Sequence, residues 1–269
     1  MKQHFFLFAT SILMLSACSK EVITQETVLN QVVVEAYLYP DIPVTINLSK
    51  MFPFTEEGIT DDLAIDTAEI HITYNGTDYL MTSDPSNPGQ YYCDNALLIV
   101  EEGETYELSF LYNNYEVKSE TTIPTSPNSV TLSTTELDVV EVSAGEVQDP
   151  LTVIWTNPKN EYHQIKVEYL ESDYSAISER LVVEDYPKFK TVATEPILGE
   201  RYDLNIRAHL VFYGTYRVIV YKVNKEYVNL YENLSQSTLN LTAPLTNIEN
   251  GLGIFTGLNA DTTYVEVSN

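Results

Sequence analysis

The chain has 269 residues, 44% of them hydrophobic, with 14 basic and 39 acidic side chains and a formal net charge of −25. That balance argues against nucleic acid and against an anionic membrane surface as partners. Two cysteines allow at most one disulfide, and 20 tyrosines alongside prominent Val, Ile and Thr are a composition suited to sheets.

The chain starts MKQH, with Lys2 and no acid, and continues FFLFATSILML, Phe5 to Leu15, without a charge. A basic start and a short apolar run describe a secretory signal, too short to remain as a membrane-spanning helix. The run ends Leu15-Ser16-Ala17-Cys18, which resembles the lipobox of bacterial lipoproteins. That resemblance implies a diacylglycerol on the Cys18 thiol, cleavage just before it, and a further acyl chain such as palmitate on the new amine. Several acyl chains hold a protein on a membrane far better than one. The following Ser19-Lys20-Glu21 resembles, in part, the surface-export tag of Bacteroidetes lipoproteins, so the expected location is the outer membrane, facing the cell exterior.

Cleavage leaves 252 residues and removes Lys2, so the mature charge is 13 − 39 = −26. With Cys18 acylated, Cys93 in GQYYCDN has no disulfide partner and reads as a small buried hydrophobe. The remaining length suits two domains of roughly 100 to 120 residues with self-sufficient cores.

Beyond a short polar tether the strand signals follow one another. QVVVEAYLY (Gln31 to Tyr39) is β-branched and aromatic, and VTINLS alternates with Val44, Ile46 and Leu48 on one face. In AEIHITYNGTDYLM, Ile70, Ile72 and Tyr74 alternate with polar residues, Asn75-Gly76 supplies a tight turn, and the chain returns through Tyr79 and Met81. GETYELSFLY turns Tyr106, Leu108 and Phe110 inward, and NNYEVKSETTI completes a first β-sandwich, immunoglobulin-like or transthyretin-like. IPTSPNS (Ile123 to Ser129) is the expected boundary. After it, a strand carrying the single Trp155 followed by a Tyr-rich strand resembles the start of a fibronectin type III module, with Trp155 as core anchor. Tyr174 to Tyr202 is irregular and reads as loops with short strands. LNIRAHLVFYGTYRVIVYKV reads as two strands around Gly214. Tyr227, Val228, Leu230, Tyr231 and Leu234 share one helical stripe, and a final strand pair ends in TTYVEVS. The expected fold is therefore all-β: two tandem β-sandwich domains with one short helix in the second. The expected boundaries are a signal over 1–17, a lipidated tether over 18–27, a sandwich over 28–124, a linker over 125–129, and a sandwich over 130–269 with its helix near 225–235.

Catalytic and metal signatures are sparse. His71, His163 and His209 each stand alone in sequence: His71 on an outward strand position, His163 near a turn, His209 interrupting an apolar strand. NGLGIF follows no βαβ pattern, and its glycines read as a tight backbone path beside a packed strand. Glu56, Glu57, Asp61, Asp62 and Asp66 form one acidic loop, and Glu101, Glu102 and Glu104 another. Neither has the spacing of a calcium loop, and solvated loops are the expected outcome. No cofactor, metal or catalytic residue is expected, and the chain is read as a non-enzyme. Asp66-Thr67-Ala68 and Asp261-Thr262-Thr263 resemble O-glycan acceptor sites of Bacteroidetes exported proteins, at Thr67 and Thr262.

Four features together carry a family resemblance: the lipobox cysteine, VVVEAYL with GETYELSF, the tyrosine-rich KEYVNLYENL, and NIENGLGIFTG near the end. They resemble the Bacteroidetes lipoproteins of domain-of-unknown-function family four-two-four-nine, over about Val28 to Val267. Asn247-Ile248 and Asn250-Gly251-Leu252-Gly253-Ile254-Phe255 are the most specific element. Members are often encoded beside TonB-dependent outer-membrane receptors. The resemblance implies a binding accessory to nutrient uptake, with such a receptor as partner and an unidentified nutrient as ligand. A structural or adhesive surface lipoprotein is the alternative.

Overall fold

The computed structural model describes residues 31–51, 63–94, 96–140, 148–178, 187–235 and 246–269. The chain folds as two β-sandwiches joined by one shared strand. In the first, β1 (Val32–Leu38) buries Val32, Val34, Ala36 and Leu38, and antiparallel β2 (Val44–Lys50) buries Val44, Ile46 and Leu48. β6 (Gln90–Cys93) and the short β5 (Thr82–Ser83) extend this sheet. Facing it, β3 (His71–Tyr74), β4 (Thr77–Leu80), β7 (Thr105–Tyr112) and β8 (Tyr115–Thr122) form a four-stranded antiparallel sheet in the order β4-β3-β7-β8. Ile72, Tyr106, Leu108, Phe110 and Val117 point into the common core, as the alternation predicts. Asn75 and Gly76 take φ of 50° and 73°, and Asn113 and Asn114 take 49° and 65°, so both hairpins close through tight turns that match the strand twist. Cys93 is a free, buried thiol in this core, and burial pushes its pKa up, as befits an inert packing residue.

The second sandwich opposes β9 (Asn128–Leu132), β11 (Leu151–Thr156) and β16 (Arg201–Leu204) to a sheet built on β12 (Tyr162–Tyr169) and β17 (Phe212–Val223). Trp155 on β11 is buried at its centre, with Val153, Ile165, Val167 and Val218. Tyr216 makes a tyrosine corner: its hydroxyl accepts from Phe212 N at 2.7 Å and donates to Phe212 O at 3.0 Å. This is the hydrogen bond by which immunoglobulin-like sandwiches pin the entry of a core strand. Among the described residues of 174–202 the strands are β13 (Ser175–Ala176), β14 (Thr191–Ala193), β15 (Ile197–Leu198) and the start of β16, with a 3-10 turn at 187–189, so loops with short strands is the outcome; 179–186 lie outside the described residues. The two strands expected around Gly214 are one. β17 runs through Gly214, at a φ of 126°, where a Cβ would stand 2.9 Å from Glu171 Cγ and 3.2 Å from the Tyr169 ring. α1 (Lys225–Ser235) is the predicted helix.

The expected terminal strand pair is also one strand, β18 (Leu252–Ser268), 17 residues long. Its first part, Leu252 to Gly257, pairs in parallel with β1 of the first sandwich. Its second part, Leu258 to Val267, pairs antiparallel with β17 of the second, and Glu266 to Ser268 pair with β10 (Glu136–Asp138). The sheet therefore runs unbroken through both sandwiches in the order β14-β12-β17-β18-β1-β2-β6-β5. Ile248 and Phe255 belong to the core of the first sandwich, although they lie in the segment expected to belong wholly to the second. The backbones approach so closely that a Cβ on Gly253 would stand 1.9 Å from Val34 O, at a φ of +98°.

Trp155 is the only tryptophan and lies in the second sandwich, whereas Gly253 packs in the first. Gly253→Ala should cost about 3 kcal/mol or more through combined overpacking and backbone strain. Urea unfolding followed by Trp155 fluorescence and by far-ultraviolet circular dichroism should then shift to lower midpoint together. A Trp155 transition that stays put would mean the sandwiches unfold independently.

Candidate binding face at the junction of the sandwiches

The junction is built by polar side chains that satisfy backbone groups across it. Asn247 grips β18: its Nδ2 donates to Phe255 O at 2.6 Å and its Oδ1 accepts from Phe255 N at 3.1 Å. Asn250, at a φ of 58°, donates through Nδ2 to Glu116 O at 2.8 Å, and Ser119 Oγ donates to Asn247 O at 2.9 Å. These bonds hold NIENGLGIFTG against β8 within the first sandwich, from its far end at Asn250 toward the junction.

Glu226 sits in the first turn of α1, where a carboxylate suits the helix dipole. Its Oε1 accepts from Thr121 Oγ1 at 2.9 Å and from Thr256 Oγ1 at 3.1 Å. Thr121 Oγ1 in turn accepts from Gly257 N at 2.9 Å. Asn224, just before the helix, donates to Thr122 O at 2.8 Å. Lys222 on β17 is 6% exposed; it pairs with Glu161 at 2.5 Å and donates to Thr125 Oγ1 of the linker at 3.0 Å.

Half-buried tyrosines fill one side of the junction. Tyr37, Tyr39, Tyr162, Tyr221 and Tyr227 pack around Val223, Val228 and Leu258. Tyr37 meets Tyr227 edge-on at 6.3 Å, and Tyr39 meets Tyr221 at 6.4 Å. Burial, with Glu35 and Tyr227 nearby, pushes the Tyr37 hydroxyl up to about 12, so it is neutral and a hydrogen-bond donor throughout the physiological range.

A groove of about 530 Å³ also lies where the sandwiches meet, lined by Pro40, Asp41, Ile99, Glu101, Glu104 and Asn259 among others. Glu102 helps line it, but its carboxylate accepts from Ser126 N at 2.9 Å and Asn259 Nδ2 at 3.1 Å. Glu101 accepts from the Tyr74 hydroxyl at 2.7 Å, which pushes that hydroxyl well above its usual range. The groove is acidic, with an apolar wall at Ile99, and the exposed Ile42 and Leu97 lie on the same loops. A second groove of about 530 Å³ follows the outer face of β3, β7 and β8, between Asp78, Glu107, Glu116 and Glu249.

The residues singled out in the sequence scatter. Cys18 and Glu56, Glu57, Asp61 and Asp62 lie outside the described residues. Asp66 accepts from Gly89 N and so closes a loop. Thr67 and Thr262 are exposed, the second on the outer face of β18. His71 bonds Glu69 at 3.3 Å on the surface. His163 is the second residue of β12, just past the turn at 157–160 as expected, and it is 1% exposed with its ring 5.3 Å from that of Trp155. His209 lies in a turn, not a strand, where Nδ1 accepts from Asn205 N at 2.9 Å. Among the described residues no three His, Cys, Asp or Glu side chains gather as metal ligands, and no helix is long and apolar enough to cross a membrane. Of the second acidic loop, Glu101, Glu102 and Glu104 do come together, at the junction groove. Sequence reasoning singled out Asn247 without its role and missed Glu226 and the tyrosine pairs, whose partners are remote in the chain; an acid at the start of the predicted helix was the usable signal for Glu226.

The model of the family described as Domain of unknown function (DUF4249) matches residues 20–264. The chain belongs to this family. The match takes in both sandwiches and most of the shared strand, whose first part, in NIENGLGIFTG, pairs with β1. No curated protein matches the chain. Among solved structures, the chicken CNTN1 FN1-FN3 domains align with 70% of this chain and 59% of their own, at 12% identity and a TM-score of 0.29. Native alpha-2-macroglobulin from Escherichia coli, spanning domains MG0-NIE-MG1, aligns over 75% of this chain and 69% of its own, at 13% identity and a TM-score of 0.22. Similarity at that level carries no argument about function.

Burial holds the pKa of both His163 and His209 below the ordinary 6.5. As pH falls from 6.5 toward about 5, the unfolded chain binds protons that the folded histidines refuse, so stability falls through this window and is fully present above it. The slope is at most about 1.4 kcal/mol per pH unit for each histidine. His163→Gln should flatten the dependence of the urea midpoint between pH 6.5 and about 5; an unchanged slope would exclude His163 as a contributor.

Proposed function

We propose that the chain is an outer-membrane lipoprotein, acylated on Cys18 and facing the cell exterior, that acts as a non-enzymatic binding accessory to TonB-dependent nutrient uptake. The lipobox-like Leu15-Ser16-Ala17-Cys18, the partial export tag after it and the family membership support the location. The observation that carries the binding role is the junction groove: it is walled by Pro40, Asp41, Ile99 and Asn259, from loops of the first sandwich and from the strand common to both. Concave sites favour domain interfaces, and a groove set in a fixed joint loses little freedom on binding. Its carboxylates and apolar wall suit a cationic or amphipathic nutrient over an anionic one. Anchoring raises the local concentration of this face beside a transporter mouth. The unbroken sheet between the sandwiches also favours a second reading, a stiff structural or adhesive surface protein.

Two experiments separate these readings. Cys18→Ala should move the protein from the membrane fraction to the soluble one; retention in the membrane would sink the anchor. The native lipoprotein, isolated in mild detergent from cells grown on different nutrients, should bring a large outer-membrane β-barrel with it. Recovery of no barrel in any condition, together with loss of adhesion on deletion, would decide for the structural reading. If Thr67 and Thr262 carry O-glycans, intact-mass measurement of the exported protein should show mass that Thr67→Ala and Thr262→Ala remove.

A further inference from the structure

The two ends of the first sandwich differ in what they meet. β1 and the first part of β18 run in the same direction, with Val33 opposite Leu252 and Leu38 opposite Gly257. Beyond Gly257, β18 enters the second sandwich. The end of the first sandwich at which β1 begins is therefore the end remote from the second. The same free end carries the β7–β8 hairpin tip, because Asn250 Nδ2 reaches Glu116 O at 2.8 Å while Thr121, near the other end of β8, bonds Gly257 N at 2.9 Å. On that hairpin Leu111 is 71% exposed and Tyr115 is 65% exposed. The turn between the two strands is tight, Asn113 and Asn114 both at positive φ, so the pair is presented on a stiff support.

We propose that this free end of the first sandwich seats on a lipid surface, with Leu111 and Tyr115 as the side chains that enter the headgroup region. The inference rests on the proposed acylation of Cys18. Twelve residues, 19–30, separate Cys18 from Gln31, which leads into β1 at this end. Such a stretch reaches about 45 Å when fully extended and about 20 Å as a relaxed coil. The anchor therefore holds this end nearer the bilayer, on average, than the second sandwich. The register sets Leu111 opposite Glu116 and Tyr115 opposite Tyr112, so the two exposed side chains flank the hairpin tip on its two faces, and a tip that dips into the boundary carries both, the aliphatic chain in apolar material and the phenol with its hydroxyl in water. Glu116, the acid nearest the hairpin tip, is paired with Lys118 at 2.9 Å, which softens its repulsion from an anionic headgroup; Glu107 and Glu120 lie farther along the strands. The second sandwich, and the junction groove, then stand away from the lipid.

The test uses the acylated, full mature protein in phosphatidylcholine vesicles. Leu111→Cys gives a single labelling site for an environment-sensitive fluorophore, because Cys93 is buried and Cys18 is acylated. Ser172→Cys, at the far end of the second sandwich beyond β12, is the control. The label at 111 should emit to the blue of the control and be quenched at least twofold more by headgroup-region spin-labelled lipid. Tyr115→Glu in the Leu111→Cys background should reduce that quenching. Protein that fails to float with the vesicles would overturn the anchor reading and this proposal with it. Protein that floats with equal emission and quenching at both positions would overturn the seating alone. Quenching that appears only when a β-barrel partner is added would assign this end to a protein contact and would also overturn it.

Discussion

The rest of the structure depends on the passage of β18 beside β1. A strand that enters the middle of a finished sheet must satisfy hydrogen bonds on both edges and pack on both faces. From Ile254 to Asn259 the chain is buried throughout: up to Gly257 one edge pairs with β1, while the Asn247 side chain and the Thr121 hydroxyl take backbone groups of the other. Gly253 permits the close approach to Val34, Asn247 occupies the backbone groups of Phe255, and Phe255 fills the first core. Loss of the strand would leave β1 with a bare edge, and would remove Phe255 from the first core and Val265 and Val267 from the second. The two sandwiches are thus joined by main-chain hydrogen bonds, a stiffer connection than the proline-containing linker at Ile123 to Ser129 could supply alone.

That joint gives the molecule a direction. The parallel register of β1 and β18 sends the start of the chain and the second sandwich to opposite ends. The junction lies between them, with its tyrosines on one side and its acidic groove on another. A groove within a continuous sheet holds its shape, which favours recognition by a preformed surface over recognition by moving loops. The strong negative charge acts on a different scale, excluding anionic surfaces from most of the protein while leaving an exposed apolar pair at the free end.

The alternation of QVVVEAYLY, VTINLS and GETYELSF was legible because each strand has one buried face, and a period of two is local information. The turn at Asn75-Gly76 was legible for the same reason. Trp155 as core anchor and the helix at Lys225–Ser235 also follow from their own neighbourhoods. The readings that went astray are those where both faces are covered or where a partner is remote. β17 and β18 read as broken pairs because burial on both faces erases alternation. His163 follows the 157–160 turn as its neighbours suggest, but its burial against Trp155 comes from the β11 side of the sandwich, which its flanking residues do not encode.

By itself the sequence determined the fold class, most of the strands, the helix, the family and the two residues, Gly253 and Phe255, that make close packing possible near the chain's end. Those properties rest on side-chain periodicity and backbone freedom, which are local. Only the tertiary structure decided that the terminal strand serves both sandwiches, that Glu226 binds Thr121 and Thr256, and that Glu101, Glu102 and Glu104 face Asp41 and Asn259 across a groove. Those contacts join residues far apart in the chain, and a contact of that kind is fixed by packing, for which the order of residues along one strand supplies no period.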